Sequence, residues 1–272
     1  MQDTNTILMQ KKYNAEIGII GGTGIYDFEL KNKKKIIVKT PYGKTSDSIT
    51  IGEFENKKIA FLPRHGNKHS IPPHLVNFKA NIWAYKKIGI KRIISISSVG
   101  SLREKIKPGQ FALPSQFLDF TRFRDGSFSK IGNVIHISVA EPFCPELQLI
   151  MLKISKNFKI KLHKNCIYTC IEGPRFSTIA ESNFFRSIGS DIVGMTLVPE
   201  CQLAREVQIC YISILIVTDY DSWFKENVTA KNVSSRLKQS SKTISKMIAK
   251  LIEQTPGTKN CSCEKALLAA KL

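Results

Sequence analysis

Long apolar stretches and acidic side chains are both scarce in this 272-residue sequence. No run approaches the roughly 20 apolar residues that a transmembrane helix needs. Residues 1–12 also contain no continuous apolar segment of the kind found in signal peptides. We therefore expect a cytoplasmic protein that does not associate with a membrane.

The shortage of acidic residues gives the chain a strongly positive charge. Asp and Glu total 22 against 41 Lys and Arg, so the formal net charge is +19. Such a charge suits a nucleic-acid-binding protein, or the attraction of an anionic substrate. However, only nine of the basic residues are Arg, and the basic positions are scattered without interleaved aromatic residues. Lys makes no planar, two-pronged contacts, so we expect no nucleic-acid partner.

Paired metal-binding spacings are missing, although the chain has seven cysteines. No C-x-x-C pair occurs with accompanying histidines, so the spacing does not indicate a structural zinc site. We therefore expect no bound metal.

Short β-branched runs alternate with longer amphipathic stretches, which is typical of an α/β protein. The predicted strands are residues 16–20, 35–38, 48–54, 58–62, 92–96, 111–113, 135–138, 166–171, 191–193 and 211–217. The predicted helices are residues 74–88, 146–158, 178–188, 199–207 and 233–251. No repeat or linker interrupts this alternation. We therefore predict one domain over residues 16–255, with an N-terminal extension at 1–15 and a C-terminal tail at 256–272.

Several predicted strands end in loops that suit an anion such as phosphate, and ligands of α/β sheets bind at the carboxyl ends of strands. Gly22 and Gly24 let backbone N–H groups approach an anion, and side chains add further hydrogen-bond donors. These side chains are Thr23, Arg64, His65, Ser97, Ser98 and Thr196. The G-G-x-G loop alone fits a dinucleotide-binding oxidoreductase equally well. For that function, however, the chain lacks the full G-x-G-x-x-G spacing, a downstream acidic residue and a Tyr-x-x-x-Lys pair.

Other strand ends suit a neutral heterocycle. Asp219 and Asp221 follow the most apolar strand at positions i and i+2, so their side chains point the same way along an extended segment. A carboxylate accepts from an exocyclic amine, and a protonated carboxyl can donate to a ring nitrogen as a general acid. Phe176 can stack on such a ring. A metal site or a helix N-cap is the alternative for this carboxylate pair.

Seven ordered motifs between Glu16 and Leu251 together resemble the 5'-methylthioadenosine phosphorylases, within the purine nucleoside phosphorylase superfamily. The motifs are Ile17–Gly24 (IGIIGGTG), Pro63–Gly66 (PRHG), Gly100–Glu104 (GSLRE), Ala140–Cys144 (AEPFC), Glu172–Ser177 (EGPRFS), Met195–Glu200 (MTLVPE) and Thr218–Trp223 (TDYDSW). The resemblance implies a single α/β domain with a central mixed, distorted barrel-like sheet flanked by helices. It also implies phosphorolysis of 5'-methylthioadenosine to adenine and 5-methylthioribose 1-phosphate, with inorganic phosphate as co-substrate and no cofactor.

The resemblance assigns roles to residues of these motifs. Thr23, Arg64, His65, Ser97 and Thr196 are expected to hold phosphate, Ser98 to lie beside them, and Met195 to pack against the ribose. Phe176, Ser177, Asp219 and Asp221 are expected to face the base. Asp219 is the expected general acid toward the purine N7 and, as an Asp rather than an Asn, favours a 6-aminopurine.

The 5' end of the substrate is expected to meet His136, reaching from a neighbouring subunit, and an apolar wall. That wall falls on Ala230, Val233 and Ser234, which are smaller or more polar than the family pattern. Because an apolar pocket rejects an added hydroxyl weakly, adenosine, inosine and 5'-methylthioinosine remain alternative substrates.

The resemblance further implies a trimer or a hexamer, with the loop at 122–125 near the subunit contact. Heat-loving archaeal members of the family carry a C-terminal C-x-C motif together with internal disulfides. This chain has the same motif at Cys261 and Cys263. On that basis Cys144 is predicted to pair with Cys210 and Cys261 with Cys263. Seven reduced cysteines are the alternative.

Overall fold

The computed structural model describes Tyr13 and residues 15–22, 30–225, 228–268 and 270, and these residues form a mixed sheet with helices packed against it. The strands are β1 Ile17–Gly21, β2 Lys31–Ile36, β3 Ile49–Phe54, β4 Lys57–Pro63, β5 Arg92–Ser101, β6 Phe111–Phe120, β7 Leu162–Ile171, β8 Ile192–Gly194 and β9 Cys210–Tyr220. The α-helices are α1 Phe78–Ile88, α2 Pro145–Asn157, α3 Ile179–Ser187, α4 Glu200–Glu206 and α5 Ala230–Gln254. The predicted mixed, barrel-like α/β fold is confirmed.

The strand order is β2-β3-β4-β1-β5-β8-β7-β6-β9, and an additional pairing of β5 with β9 closes the last five strands into a barrel. Strand β5 makes this closure possible because it is ten residues long and changes partners along its length. Residues 92–95 pair with β1, Gly100 and Ser101 pair with β8, and β9 runs parallel to β5 along nearly its whole length. The predicted strands at 92–96 and 211–217 are therefore each longer in the structure.

The open end of the sheet is the lysine-rich strand β2. Its sequence is KNKKKI, and only its last residue is buried. Among the described strands, β2 pairs with β3 alone and leaves its other edge unpaired.

The helices bury apolar faces against the sheet, as their spacing predicts. In α5, Ile244, Met247 and Leu251 are fully buried against Met151 of α2 and the apolar side chains of β9. Burial of such side chains contributes about 1.5–3 kcal/mol each relative to exposure. No helix in the described part of the chain is both long enough and apolar enough to cross a membrane.

Besides strands whose ends shift, such as that predicted at 111–113, which extends to Phe120, two predicted elements differ in kind or start. The predicted helix at 74–88 begins only at Phe78, because Asn77 caps it by accepting a hydrogen bond from the Ala80 N–H, and Pro73–Leu75 form a separate 3-10 turn. Residues 135–138 form no strand; in this mostly exposed segment only Ile135 makes an isolated β-bridge, and the Ser129 hydroxyl donates a hydrogen bond to the Ile135 carbonyl.

Candidate active site

A cavity of about 760 Å³ opens at the carboxyl ends of β1, β4 and β9 and along the second half of β5. The predicted residues that line it are Arg64, His65, Ser97, Ser98, Phe176, Ser177, Met195, Thr196, Asp219, Asp221, Ala230, Val233 and Ser234. Gly22 also contributes, whereas Thr23 and Gly24 lie outside the described residues. The fold thus brings residues separated by up to 215 positions to one cavity, which holds both the predicted phosphate group and the predicted base group.

Arg64 is the buried cation of the cavity, and its guanidinium is held by five hydrogen bonds within the protein. Its Nε and Nη2 donate to the Glu200 carboxylate at 2.7 and 2.8 Å, and Nη2 also donates to Ser95 Oγ at 2.7 Å. Its Nη1 donates to the Ile96 carbonyl at 3.0 Å and to Ser97 Oγ at 3.2 Å. All five N–H donors are therefore engaged, and the long bond to Ser97 is the weakest of them.

Glu200 balances the charge of Arg64 from the N-terminal turn of α4. Its side chain is 0% exposed and that of Arg64 1%, so neither charge meets solvent. The carboxylate also accepts hydrogen bonds from Ser95 Oγ at 3.0 Å and from the Tyr211 hydroxyl at 2.9 Å. A buried ion pair is tolerated only when its remaining polar atoms are satisfied, which these bonds accomplish.

Sequence reasoning missed the roles of Glu200, Ser95 and Tyr211. Glu200 lies inside the Met195–Glu200 motif, but its partner Arg64 is 136 positions away, and local spacing carries no signal for such a contact. The sequence offered one sign of this role: Glu200 is a carboxylate at the start of a largely buried helix, where it needs a cationic partner.

Two neighbouring hydroxyl groups line the cavity beside Arg64. Ser97 Oγ and Thr196 Oγ1 are 2.9 Å apart and share a hydrogen bond. Ser97 belongs to β5, whereas Thr196 follows β8, so their contact joins two strands of the barrel. Each hydroxyl can donate to an anion, because a hydroxyl rotates to suit its partners.

His65 is neutral at physiological pH. Burial, reinforced by the adjacent Arg64 charge, lowers the pKa of His65 to about 4. Its Nδ1 lies 2.9 Å from the Ile71 carbonyl oxygen, so the hydrogen bond assigns the proton to Nδ1 and leaves Nε2 as an acceptor. His65 therefore suits the hydroxyl of a protonated phosphate better than a bare phosphate oxygen.

Asp219 carries a raised pKa at the end of β9. Burial raises the pKa of Asp219 to about 6; the hydrogen bond from Thr218 opposes this rise, and the nearby Asp221 adds to it. Thr218 Oγ1 donates to Asp219 Oδ1 at 2.6 Å. Gly100 of β5 makes room for the carboxylate, because a Cβ there would lie 2.9 Å from Asp219 Oδ2. A carboxyl with such a pKa can serve as a general acid near neutral pH.

Asp221 and Ser177 line the cavity near Asp219, and Ser182 is buried beside Asp221. Burial raises the pKa of Asp221, and the hydroxyls of Ser182 and Ser177 nearby oppose that rise. Asp221 Oδ2 and both serine Oγ atoms are buried without a hydrogen bond of normal geometry among the described residues. Because unpaired buried polar atoms cost free energy, this group is suited to a polar partner such as a heterocycle.

Apolar side chains surround the remaining volume. Phe176 is 38% exposed at the cavity wall. Met195 packs against Gly173, where a Cβ would come within 2.6 Å of its sulfur. Ala230, Val233 and Ser234 line the cavity from the first turns of α5, whose N-terminus is capped by the Thr229 hydroxyl.

The structure does not bring His136 to the cavity of the same chain. His136 is exposed, and its backbone N–H donates to the Ala270 carbonyl at 2.7 Å. Its predicted contact with a neighbouring subunit stays a prediction.

Neither predicted disulfide is confirmed, because no two of the seven cysteine sulfurs lie at disulfide distance. The pairing of Cys144 with Cys210 and of Cys261 with Cys263 is not confirmed, because the four thiols meet in one group instead of separating into two pairs. Within this group the sulfurs of Cys210 and Cys261 are 3.4 Å apart.

Comparison with known proteins identifies related chains of nearly the same length. A family model described as the phosphorylase superfamily matches residues 16–253. The S-methyl-5'-thioadenosine phosphorylase of Nitrosopumilus maritimus is 60% identical over 259 residues, covering 95% of this chain and 98% of that protein. The methylthioadenosine phosphorylase of Schistosoma mansoni in complex with adenine has a TM-score of 0.87 and 35% identity, covering 94% of this chain and 99% of that one. A variant of the adenosine/methylthioadenosine phosphorylase from the same organism, in complex with methylthioadenosine, has a TM-score of 0.85 and 36% identity, covering 93% and 97%.

Proposed function

The chain belongs to the phosphorylase superfamily, and on that premise we propose that it cleaves 5'-methylthioadenosine with inorganic phosphate. The products are adenine and 5-methylthioribose 1-phosphate, and the reaction needs neither a metal nor an organic cofactor. The observation that carries the proposal is one cavity lined both by Asp219, with its raised pKa, and by the hydroxyl pair of Ser97 and Thr196 beside Arg64. The names of the related proteins agree with this substrate.

Asp219 acts as the acid that makes adenine a good leaving group. As the bond between C1' and N9 of the base breaks, electrons move into the purine, and a proton from the Asp219 carboxyl goes to N7. With a pKa of about 6, the carboxyl is about one-tenth protonated at pH 7. Asp221 accepts a hydrogen bond from the exocyclic amine of the base.

Phosphate is held as a nucleophile beneath C1' by groups that are fixed before it arrives. The Ser97 and Thr196 hydroxyls donate to its oxygens, and the neutral His65 accepts from its hydroxyl. Arg64 keeps its hydrogen bonds to Glu200 and Ser97, so it adds positive charge behind the Ser97 hydroxyl and holds that hydroxyl in place. Such preorganised donors stabilise developing charge without rearrangement during the reaction.

Adenosine is the second candidate substrate, because the wall proposed for the 5' group contains a hydroxyl. Ser234 lines the cavity beside Val233, and its side chain can accept or donate a hydrogen bond to a 5'-hydroxyl. The name of one related protein, adenosine/methylthioadenosine phosphorylase, agrees with this dual use.

A homo-oligomer, a trimer or a hexamer, completes the proposal. Large apolar side chains are exposed along the segment that carries His136: Phe120 is 39%, Phe123 89%, Ile131 103% and Val134 47% exposed. Exposed apolar groups of this size favour a subunit contact. A neighbouring chain bound there would cover them and bring His136 toward a second cavity. Light scattering tests this, because each added chain contributes 30.6 kDa.

The decisive assay is the release of free base from four nucleosides at fixed phosphate concentration: 5'-methylthioadenosine, adenosine, inosine and 5'-methylthioinosine. We expect adenine release from 5'-methylthioadenosine to be fastest and to require phosphate. Release of base without phosphate would indicate a hydrolase, and no release from any 5'-methylthio substrate would refute the proposed function.

A further inference from the structure

Four of the seven cysteines meet at a point remote from the cavity, on the outer side of α2 and the start of β9. Cys144 is the residue immediately before α2, and Cys210 is the first residue of β9. Cys261 and Cys263 come from the tail after α5, where Ser262–Lys265 form a 3-10 turn. Three of the four thiols are buried, and Cys261 is partly exposed. None of them lines the cavity.

The four sulfur atoms have the spacing of a tetrahedral metal site. All of them lie within 4.8 Å of one another, and the sulfurs of Cys210 and Cys261 are 3.4 Å apart. Zinc bonded to four thiolates at about 2.3 Å places the sulfurs about 3.8 Å apart. The sulfur–sulfur separations, from 3.4 Å for one pair to at most 4.8 Å, lie on both sides of this value. Small rotations of the cysteine side chains therefore bring the four sulfurs to the corners of a tetrahedron.

The surroundings favour a negatively charged group. Arg92 pairs with Cys210 in the β5–β9 register, its side chain is 1% exposed, and its Nε has no hydrogen-bond partner among the described residues. Cys144 lies at the N-terminus of the 13-residue helix α2, where the helix dipole is positive. Apolar side chains such as Leu147 and Met247 belong to the same buried cluster and limit access of water.

We propose that Cys144, Cys210, Cys261 and Cys263 together bind one Zn²⁺ ion in a structural tetrathiolate site. Binding forms four Zn–S bonds and releases four thiol protons to solvent, with no change in oxidation state. The resulting charge of –2 is offset in part by Arg92, which also pairs with Glu146 at 3.7 Å, and by the N-terminus of α2. The C-x-C spacing supplies two ligands from the tail, and two distant core elements supply the others, so the local C-x-x-C pattern is not required.

The site fastens the C-terminal tail to the body of the protein. The tail is already docked there, because Arg92 donates to the Thr258 carbonyl at 2.8 Å and the Asn260 N–H donates to Glu146 at 3.1 Å. A metal adds to these contacts the free energy of its own binding, which in a structural site is folding free energy. The two predicted disulfides would not fasten the tail, because Cys144–Cys210 lies within the body and Cys261–Cys263 within the tail. The metal joins reduced thiols of both parts.

The test is metal binding by the full-length reduced protein, kept in a phosphine reductant without chelator. We expect one zinc ion per chain by elemental analysis after dialysis. Cobalt substitution should give the intense sulfur-to-metal charge-transfer absorption of a tetrahedral thiolate site. Cys263→Ser should weaken binding by at least about tenfold. The matched control Cys166→Ser, at a buried cysteine outside the group, should retain the metal.

Zinc should also protect the tail from trypsin at Lys259 and raise the unfolding temperature of the wild type but not of Cys263→Ser. If Cys263→Ser does not fold, the partly exposed Cys261→Ser serves in its place. The proposal is wrong if the reduced wild type binds neither zinc nor cobalt, whether or not the same cysteines form disulfides on oxidation. It is equally wrong if the serine variants bind metal as tightly as the control.

Discussion

Replacing Asp219 by Asn should stabilise the folded protein at neutral pH while it impairs catalysis. The pKa of this carboxyl rises from 3.8 to about 6 on folding, chiefly because the group is buried. A raised folded-state pKa means that the folded protein binds the proton more tightly than the unfolded chain does. Its stabilising contribution is therefore present at low pH and is lost as the pH rises through about 6.

The magnitude follows from the two pKa values. Ionising Asp219 costs the folded state about 3 kcal/mol at pH 7 and above, and about 1 kcal/mol at pH 4.5. Asn has no ionised form, and its amide oxygen still accepts the hydrogen bond from Thr218. Relative to wild type, Asp219→Asn should therefore gain about 2 kcal/mol of unfolding free energy between pH 4.5 and pH 7. Any pH-independent cost of the substitution cancels from this difference.

Urea unfolding at several pH values measures the effect, with Asp125→Asn as the control. The Asp125 side chain is 70% exposed and pairs with Lys79, so its replacement should change stability by less than about 1 kcal/mol. A gap between Asp219→Asn and wild type that stays constant with pH, or shrinks as pH rises, would refute the assignment of a buried acid to this position.

The remaining predictions concern the reaction and its supporting residues. Asp219→Asn should lower turnover of 5'-methylthioadenosine and shift preference toward 6-oxopurine nucleosides, measured on the substrate panel. Glu200→Gln should destabilise the fold by about 3–5 kcal/mol in urea, because it leaves Arg64 buried without its counter-charge; it should also raise the KM for phosphate. Gly100→Ala should lower kcat, because the added Cβ would lie only 2.9 Å from Asp219 Oδ2 and would push the carboxylate out of position. Ser234→Leu should favour 5'-methylthioadenosine over adenosine by about tenfold or more in kcat/KM, because the added apolar surface favours the methylthio group.

Matched variants show whether these effects are specific. Glu253→Gln removes an exposed ion pair with Lys250 and should cost less than about 1 kcal/mol. Gly257→Ala introduces a Cβ with no heavy atom within 4 Å and should leave kcat unchanged. If Glu200→Gln is no more destabilising than Glu253→Gln, the Arg64 ion pair does not have the proposed role. Equal kcat values for Gly100→Ala and Gly257→Ala would contradict the packing of Asp219 against β5, and an unchanged substrate ratio in Ser234→Leu would place the 5' group elsewhere.

The sequence predicted the elements that rest on local pattern. Strand β9 and the carboxylates that follow it could be predicted because an apolar run and its polar end adjoin in sequence. Helix α5 was equally visible from its 3.6-residue periodicity. The closure of the barrel by β5 and β9 could not be read from periodicity, because the order of strands in a sheet depends on contacts between distant segments.

The candidate site shows the same division. Residues next to strand ends, such as His65 and Thr196, could be placed at the cavity because strand ends gather at one edge of the sheet. The partnership of Arg64 with Glu200 could not, since neither residue carries a local sign of the other. The meeting of Cys144, Cys210 and the C-x-C tail is likewise a product of the tertiary fold.

The lysines of strand β2 contribute part of the +19 charge, and they act outside the reaction by repelling like-charged strands from the open edge of the sheet. An unpaired strand edge is a template onto which a second chain can add by backbone hydrogen bonds. A second copy of β2 laid against the first would bring rows of ammonium groups together at a spacing of about 5 Å. Their repulsion opposes such pairing, and it weakens as salt rises. The same edge that ends the sheet thus opposes edge-to-edge pairing of neighbouring molecules, whereas the exposed side chains of Phe123 and Ile131 carry no such charge.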